Sequence, residues 1–237
     1  MSSLLKEKSA LVLGAGGLGG PALLVLAGAG VGRLVLVEDG VVETSDLAWQ
    51  PLYREADLGA RRAAAARARL ALLFPDLDVG ALDQPLDEAS AGTLFRQADA
   101  IVDGAPRFED KFLASDAAVA ARKPLVHGGL LRYSAQILTL TPGASGCLRC
   151  LFEGPPPRGA VPSVAEAGVL GPLAGLAGAL MGAEALRLLA GERGSYAGRM
   201  MIYEARGARG RAVNVRPREG CPVCAAVRGP AAERGPA

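Results

Sequence analysis

A glycine-rich turn between two apolar segments limits the folds open to this chain more than any other feature. Residues 9–13, SALVL, have the length and composition of a buried strand. The next stretch, GAGGLGGPALLVLAGAG, predicts a turn followed by a helix, and RLVLVE at 33–38 predicts a second strand. Glycines before a helix let phosphate approach the backbone, and the helix N-terminus attracts its negative charge. We therefore expect a nucleotide-binding βαβ unit here.

The same pattern predicts which residues bind the nucleotide. A carboxylate that ends the second strand of such a unit can bind ribose hydroxyls, and Glu38 stands at that position. The glycines expected next to phosphate are Gly14, Gly16, Gly17 and Gly19. A nicotinamide-dependent oxidoreductase would use the same loop and carboxylate, but the sequence offers no evident acid for hydride transfer.

The rest of the chain alternates between helical and strand patterns. Helices are predicted at 58–73, 87–97 and 108–121, and strands at 77–82, 99–104 and 124–129. A period-two strand at 133–143, an apolar helix at 168–190 and two further strands at 198–205 and 211–216 follow. Alternating strands and helices with short turns indicate an α/β fold. We expect a doubly wound, Rossmann-like sheet, mostly parallel, with added antiparallel strands at its carboxyl-terminal end.

Composition shifts divide the chain further. Residues 1–224 are predicted to form a single nucleotide-binding domain. The stretch EGPPPRGAVPSVAE at 153–166 is rich in proline and glycine, which is typical of a mobile linker. Residues 225–237 are predicted to form a flexible tail.

The four cysteines occur as two closely spaced pairs. Cys147 and Cys150 form one CxxC knuckle, and Cys221 and Cys224 form the other. Each knuckle can supply two thiolates from a tight turn, and two knuckles complete a tetrahedral zinc site. Seventy residues separate the knuckles, so the metal would join distant parts of the chain. A redox-active CxxC is the alternative; we favour structural zinc.

Composition and charge narrow the class of protein. Half of the 237 residues are hydrophobic but only 4% are aromatic, so small and aliphatic residues must fill the interior. The net charge of +2 is too small to indicate a nucleic-acid-binding protein. Of two apolar stretches, 9–32 is rich in glycine, and 168–183 is short for a bilayer and contains Pro172. We expect a soluble cytoplasmic protein that does not enter a membrane.

Several motifs, taken in order, resemble one family. From about residue 6 to 224 the chain is similar to the ubiquitin-activating-enzyme-like superfamily, especially the bacterial MoeB/ThiF/HesA adenylyltransferases. The matching stretches are LGAGGLGG (13–20), AGVGRLVLVE (29–38), the S-x-L-x-x-Q pattern of Ser45, Leu47 and Gln50, KPLVHGGLLR (123–132) with Gln136, CLRCLF (147–152), EAGVLGPLAGLAGALMGAEALRLLAG (166–191) and GCPVC (220–224).

The resemblance implies a reaction. In this family the C-terminal glycine carboxylate of a small ubiquitin-like carrier protein attacks the α-phosphate of ATP, and an acyl-adenylate forms as pyrophosphate leaves. It therefore implies ATP and magnesium, a carrier protein or peptide as partner, and a homodimer or a heterodimer with a related subunit. It also adds Gln50 to the expected nucleotide-binding residues.

Several positions at which the family carries catalytic side chains are substituted. The asparagine and arginine of the loop after the second strand fall on Asp46 and Trp49, and the lysine of the next helix falls on Arg62. The magnesium-binding aspartate falls on Pro106, whose side chain cannot coordinate a cation, and a second acid of the loop falls on Gly40.

Other residues could compensate for these substitutions. Arg61, Arg107 and Lys111 lie on segments that face the site in this fold, and Asp103 or Glu109 could hold a metal. The candidate catalytic residues are Arg62, Asp46 and Lys111.

Two functions therefore compete. The first is an adenylyltransferase-like enzyme with a modified site. The alternative is a degenerate member that acts as a dimeric binding scaffold or an inactive partner subunit, with Trp49 packed onto the next helix and plugging the pocket. Thioester chemistry is not expected, because the crossover cysteine of some members falls on Val164. We interpret His127 as a packed or loop histidine, with contact to a substrate as the alternative.

Overall fold

One eight-stranded sheet organises the chain, of which the computed structural model describes residues 2–227. The strands are Ser9–Leu13 (β1), Arg33–Val37 (β2), Asp78–Leu82 (β3), Ala100–Asp103 (β4), Leu125–Leu131 (β5), Ser134–Leu140 (β6), Arg199–Glu204 (β7) and Arg209–Asn214 (β8). The helices are Ser2–Leu5 (α1), Gly19–Gly28 (α2), Arg62–Leu73 (α3), Glu88–Arg96 (α4), Phe108–Ala120 (α5), Leu148–Phe152 (α6), Val164–Ala167 (α7) and Gly171–Leu189 (α8).

The strand order is β3-β2-β1-β4-β5-β6-β7-β8. Strands β1 to β5 pair in parallel, and β6, β7 and β8 add to the sheet as antiparallel neighbours. The predicted doubly wound, mostly parallel sheet with antiparallel carboxyl-terminal strands is confirmed.

Two hydrophobic clusters cover the faces of the sheet. One contains the buried residues of α2, α3 and α8, and the other contains those of α4 and α5 together with three of the cysteines. The central strands are mostly apolar because both of their faces are covered. All four residues of β4 are buried, Asp103 among them.

The strand order reverses at β1, which lies between β2 and β4. Ligands of doubly wound sheets bind in the crevice that forms at such a point, outside the carboxyl ends of the strands. Backbone hydrogen bonds draw the three strand ends together: the Gly14 N–H donates to Val37 O at 2.8 Å, and the Gly104 N–H donates to Leu13 O at 2.9 Å. The crevice therefore lies beside the glycine loop.

Helix α8 is the only described helix that has the length and apolar composition to cross a membrane. Half of its apolar window is buried inside the protein, mainly against α2. Its Glu184 is also buried, and the carboxylate accepts hydrogen bonds from Thr139 Oγ1 at 2.7 Å and from the N–H groups of Ser195 and Tyr196. These contacts identify α8 as a core helix that is fixed to β6 through a carboxylate.

The element boundaries differ from the predicted ones in a few places. The helix predicted at 58–73 begins only at Arg62, because residues 55–57 form a separate 3-10 turn. The last strand lies at 209–214 rather than 211–216, since a tight turn joins it to β7. Within the predicted linker, residues 164–166 belong to α7. The predicted tail begins with a 3-10 turn, Cys224–Val227, and its remainder lies outside the described residues.

Candidate functional site

The glycine loop and Glu38 form the first part of the site. Gly19 starts α2, and a Cβ there would overlap the carbonyl oxygen of Gly14, so only glycine permits this turn. Glu38 is buried, and its Oε2 accepts a hydrogen bond from the Ala15 N–H at 2.6 Å. Burial raises the pKa of Glu38, while the Ala15 hydrogen bond and the charge of Arg62 oppose that rise. The predicted ribose-binding carboxylate thus lies directly on the glycine loop.

Asp46 and Arg62 form an ion pair beside this loop. Asp46 Oδ2 lies 3.0 Å from Arg62 Nε and 2.9 Å from Arg62 Nη2, and it also accepts the Glu43 N–H at 2.9 Å. The carboxylate is buried and caps the 3-10 turn Thr44–Ala48. Two predicted catalytic residues are therefore brought together, but the charge of Arg62 is already matched by that of Asp46.

Trp49 lies on the glycine loop. A Cβ at Gly17 would stand 3.0 Å from the indole ring and 3.1 Å from the Cβ of Ala174 on α8. The indole Nε1–H donates to Ser45 O at 2.6 Å, which fixes the ring plane. Trp49 thus packs against the glycine loop and the amino-terminal turn of α8.

Two buried polar atoms near the loop have no hydrogen-bond partner among the described residues. They are Gln50 Oε1 and the Tyr53 hydroxyl, on side chains that are 7% and 5% exposed. Burial raises the pKa of the Tyr53 phenol, and the charges of Glu38 and Asp46 add to the effect while Arg62 opposes it. An unpaired buried polar atom is costly, so a site with two of them fits a polar ligand.

A second group of buried polar side chains stands at the carboxyl end of β4. Asp103 Oδ2 lies 2.7 Å from His127 Nδ1, and its Oδ1 accepts the Ala105 N–H at 3.0 Å. Lys111 Nζ lies 3.7 Å from Asp103 Oδ1 and donates to Gly128 O at 2.6 Å. All three side chains are almost completely buried. Asp103 therefore fixes the orientation of both the imidazole and the ammonium group.

The charges of this group follow from burial and pairing. Burial alone would raise the pKa of Asp103, but the Lys111 charge and the His127 hydrogen bond hold it below its usual value. Burial lowers the pKa of Lys111 and that of His127, and the nearby Asp103 opposes both shifts. The histidine is thus neutral near pH 7 and donates its Nδ1–H to an ionised Asp103.

A cleft of about 1280 Å³ begins next to these residues. Lys111, His127 and Gln136 line its base, and residues of the crossover segment between Gly154 and Glu166 line its outer wall. Pro106 and Arg107 lie on the wall nearest the glycine loop, but Glu38 and Arg62 are not part of the lining. The segment after β4 therefore borders both the cleft and the glycine-loop corner, the region of Gly14–Gly19, Glu38 and Arg62, which is not part of the cleft lining.

The four cysteines lie together, as predicted from the two knuckles. The sulfur atoms of Cys147 and Cys150 are 3.8 Å apart, and those of Cys147 and Cys221 are 3.7 Å apart. Cys150 and Cys224 are separated by 3.6 Å, and all four sulfurs lie within 4.8 Å of one another. The cluster can hold a metal ion. It also fixes α6, whose Leu148 and Phe152 line the cleft.

Four of the residues considered as substitutes have other partners. Arg61 forms an exposed ion pair with Asp83, and Arg107 pairs with Asp110 at 2.7 Å. Asp103 is fully engaged as described above, so it does not offer a free oxygen to a metal. Glu109 lines the cleft.

Tyr53 was not predicted, whereas the interpretation of His127 as a packed histidine is confirmed by its burial against Asp103. Tyr53 follows Gln50 by three residues in the same loop. His127 stands opposite Asp103 in the pairing of β4 with β5. Two polar residues at the ends of adjacent buried strands were the available signal, because parallel strands bring such ends to one edge of the sheet.

With this geometry established, comparison with known proteins assigns the family. The family model described as "ThiF family" matches residues 2–223. The chain belongs to the ThiF family. A "Sulfur carrier protein adenylyltransferase" of Thermus thermophilus is 44% identical over 225 residues, which cover 93% of this chain and 83% of the relative. The "SAMP-activating enzyme E1" of Haloferax volcanii is 38% identical over 214 residues, covering 90% and 79%. The ThiF-family resemblance found in the sequence is confirmed.

Solved structures confirm the ThiF-like fold. E. coli MccB in a complex with ATP superposes with a TM-score of 0.80 at 19% identity, covering 94% of this chain and 68% of MccB. At this level of identity the likeness concerns the fold.

The Asp103–His127 pair predicts a pH dependence of stability. His127 has a lower pKa in the folded than in the unfolded chain, so its contribution is complete above the unfolded value of about 6.5 and is lost as pH falls below it. The free energy of unfolding of the wild-type protein should therefore decrease as the pH falls below about 6.5, by at most about 1.4 kcal/mol per pH unit. The variant His127→Gln should lack this slope. Urea denaturation at successive pH values measures both, and identical slopes would contradict the assignment.

Proposed function

We propose that the chain uses ATP to adenylate the C-terminal carboxylate of a small ubiquitin-like sulfur carrier protein or peptide. One observation carries the proposal: the glycine-loop corner and the cleft adjoin at the carboxyl end of β4, where Asp103 holds Lys111. A nucleotide at the corner and a peptide tail in the cleft would bring their reacting atoms to this junction. The relatives named as carrier adenylyltransferases and carrier-activating enzymes support the same reaction.

The corner supplies the nucleotide contacts in this proposal. Glycine-loop N–H groups at the start of α2 would bind phosphate, and Glu38 would bind ribose hydroxyls. Gln50 and Tyr53 offer the two unpaired polar atoms to the same ligand. Asp46 and Asp103 are engaged and the side chain of Pro106 has no oxygen, so we assign none of these three side chains to magnesium.

The cleft receives the carrier tail. Lys111 would orient the terminal carboxylate, since an ammonium group attracts it and Asp103 and Gly128 fix the lysine from the other side. One carboxylate oxygen then forms a bond to the α-phosphorus, the bond from that phosphorus to the bridging oxygen breaks, and pyrophosphate carries the electron pair away. The protein contributes position and positive charge rather than covalent chemistry.

Lysine 111 provides the test of this reaction. In carrier-dependent exchange of pyrophosphate into ATP, Lys111→Met should lower the rate by about two orders of magnitude, the usual effect of removing one charge-stabilising donor. The ATP dissociation constant, measured by calorimetry, should stay within about twofold because Lys111 lies on the cleft side.

The control is Lys123→Met, which changes a lysine beyond the carboxyl end of α5 and should leave exchange unchanged. No binding of ATP at millimolar concentration by wild-type protein would overturn the enzyme proposal. So would normal exchange by Lys111→Met.

The scaffold function remains a second candidate because of two contacts. Asp46 neutralises Arg62, and the Trp49 ring occupies the space above Gly17. Both reduce the attraction of the corner for phosphate. In this interpretation the chain would bind a carrier or a related subunit without turning ATP over.

The variant Asp46→Asn tests whether the corner is too negative to bind ATP. Asp46→Asn removes a negative charge beside the glycine loop, and we expect it to tighten ATP binding roughly tenfold, or about 1.4 kcal/mol. Calorimetry measures this change. Asp57→Asn is the matched control, because Asp57 also caps a 3-10 turn and accepts from an arginine, Arg54. Equal affinity of the wild-type protein and Asp46→Asn would show that this carboxylate does not limit nucleotide binding.

We also propose that the four cysteines hold structural zinc. Zinc–sulfur bonds of about 2.3 Å in a tetrahedron place the sulfurs about 3.8 Å apart, and three of the sulfur pairs are 3.6–3.8 Å apart. The ion would fix α6 and the start of the crossover segment. The proposal also includes a cytoplasmic location. It further includes assembly as a dimer, which is supported by the half-exposed apolar side chain of Leu176 on α8.

Zinc removal should affect stability and the cleft together. We expect about one zinc per chain in reduced protein. Chelation should lower the melting temperature by roughly 10 °C, the shift that a loss of about 4 kcal/mol produces in a domain of this size. It should also raise KM for the carrier more than for ATP, because α6 lines the cleft. Elemental analysis and thermal denaturation measure these effects, and restored stability after zinc is returned is the control. Fresh protein without zinc would contradict the assignment.

A further inference from the structure

The carboxyl-terminal part of the chain is far more basic than the rest. Residues 193–218 contain seven arginines and one acid, Glu204, whereas the remainder of the chain has 19 basic and 23 acidic residues. All seven arginines are exposed. The small net charge of the whole protein therefore conceals a concentrated basic region, which includes the hairpin of β7 and β8.

Three of these arginines form what we term the basic edge: Arg206, Arg209 and Arg211. Arg206 lies in the hairpin turn, with its guanidinium 4.2 Å from the centre of the Tyr133 ring. Arg209 and Arg211 stand on β8, the edge strand of the sheet. Among the described residues, none of the three guanidinium groups has a carboxylate oxygen within 4.0 Å. Their charges are available to a partner.

Strand register places the basic edge on the same face of the sheet as the cleft. Residues directly opposite each other in a ladder point to one face. Two cross-strand rows run from β5 to β8. The first row consists of Gly129, Gln136, Ile202 and Arg211. The second row consists of Leu131, Ser134, Glu204 and Arg209. The first two residues of each row and Glu204 line the cleft. Two strand spacings, about 10 Å, separate Gln136 from Arg211.

We propose that the basic edge is a docking surface for an acidic patch on the body of the carrier protein whose tail enters the cleft. This inference rests on the proposed function. A tail lying on Gly129 and Gln136 leaves the cleft along the two rows, so the folded body to which it is attached would meet Arg209 and Arg211. Opposite charges would speed and orient the encounter.

Nucleic acid fits this surface less well. The basic edge provides three arginines, and the Tyr133 ring, which a base could stack on, is already covered by Arg206. The adjacent cleft receives a chain end rather than a phosphate backbone. RNA binding at the basic edge is therefore the alternative that the experiment must exclude.

The test compares the whole carrier with its isolated tail. Each small ubiquitin-like protein that ends in glycine and is encoded in the same genome is tested for binding and for pyrophosphate exchange. The one with the tightest binding is then used beside a synthetic peptide of its last residues. Arg209→Glu combined with Arg211→Glu should raise KM for the whole carrier roughly tenfold or more. It should leave kcat, the KM of the peptide and ATP binding unchanged. Added salt should raise the carrier KM of the wild-type protein more than that of the variant.

The matched control is Arg96→Glu combined with Arg122→Glu, two exposed arginines that shortly precede the central strands β4 and β5. An equal carrier KM for the wild-type protein and the β8 variant would overturn the inference. An equal rise for the peptide, or a loss of transfer-RNA binding with an unchanged carrier KM, would also overturn it. Calorimetry with the carrier alone separates the two proposals. Arginine-dependent binding without exchange supports the docking surface and rejects catalysis, and no binding by any carrier rejects the docking surface.

Discussion

The close approach of the glycine loop to the ends of β1 and β4 is the constraint on which the rest of the site depends. Gly19 can start α2 only because nothing but hydrogen stands where its side chain would meet Gly14 O. A Cβ at Gly104 would likewise stand 2.9 Å from the Gly19 nitrogen. On one side of this contact, Ala15 lies against Glu38. On the other side, β4 ends at Asp103, which is paired with Leu13 of β1. A nucleotide corner and a peptide cleft can adjoin because no side chain lies between the glycine loop and Gly104.

Charge pairing divides this region into two balanced units. Arg62 is matched by Asp46 at the corner, and Lys111 is matched by Asp103 at the cleft. A buried charge is tolerated when it is paired and hydrogen-bonded, which holds for both carboxylates. The consequence differs on the two sides. Lys111 lines the cleft and keeps donor capacity beyond Gly128 O, whereas Arg62 already directs two nitrogens at Asp46.

The sequence predicted the parts of this structure that depend on periodicity and on strict local geometry. Apolar strands, the glycine turn and the two cysteine knuckles each impose one arrangement, and each was found where expected. The contacts of Trp49 were not predictable, because they require the tertiary position of α8, more than 120 residues later in the chain. Tyr53 and the Asp103–His127 pair were missed for a related reason. Their roles depend on burial and on the pairing of β4 with β5, and no periodic pattern reports either. The ends of α3 and β8 shifted because turns, not the hydrophobic pattern, decide where an element begins.

The cleft joins features that lie far apart in the sequence. Its base is formed by α5 and by the neighbouring strands β5 and β6, and one wall begins at the cysteine cluster. Its mouth opens toward the β7–β8 hairpin, where the Ala205 N–H donates to Tyr133 O at 2.8 Å. Since α6 is fixed by the four sulfurs and the hairpin by the sheet, both ends of the cleft are pre-ordered. A tail entering it then loses mainly its own conformational freedom, about 1–2 kcal/mol for each residue that becomes fixed. Contacts outside the cleft can offset that cost. A folded body bound at a charged edge about two strands away does so by making the entry of the tail an intramolecular step.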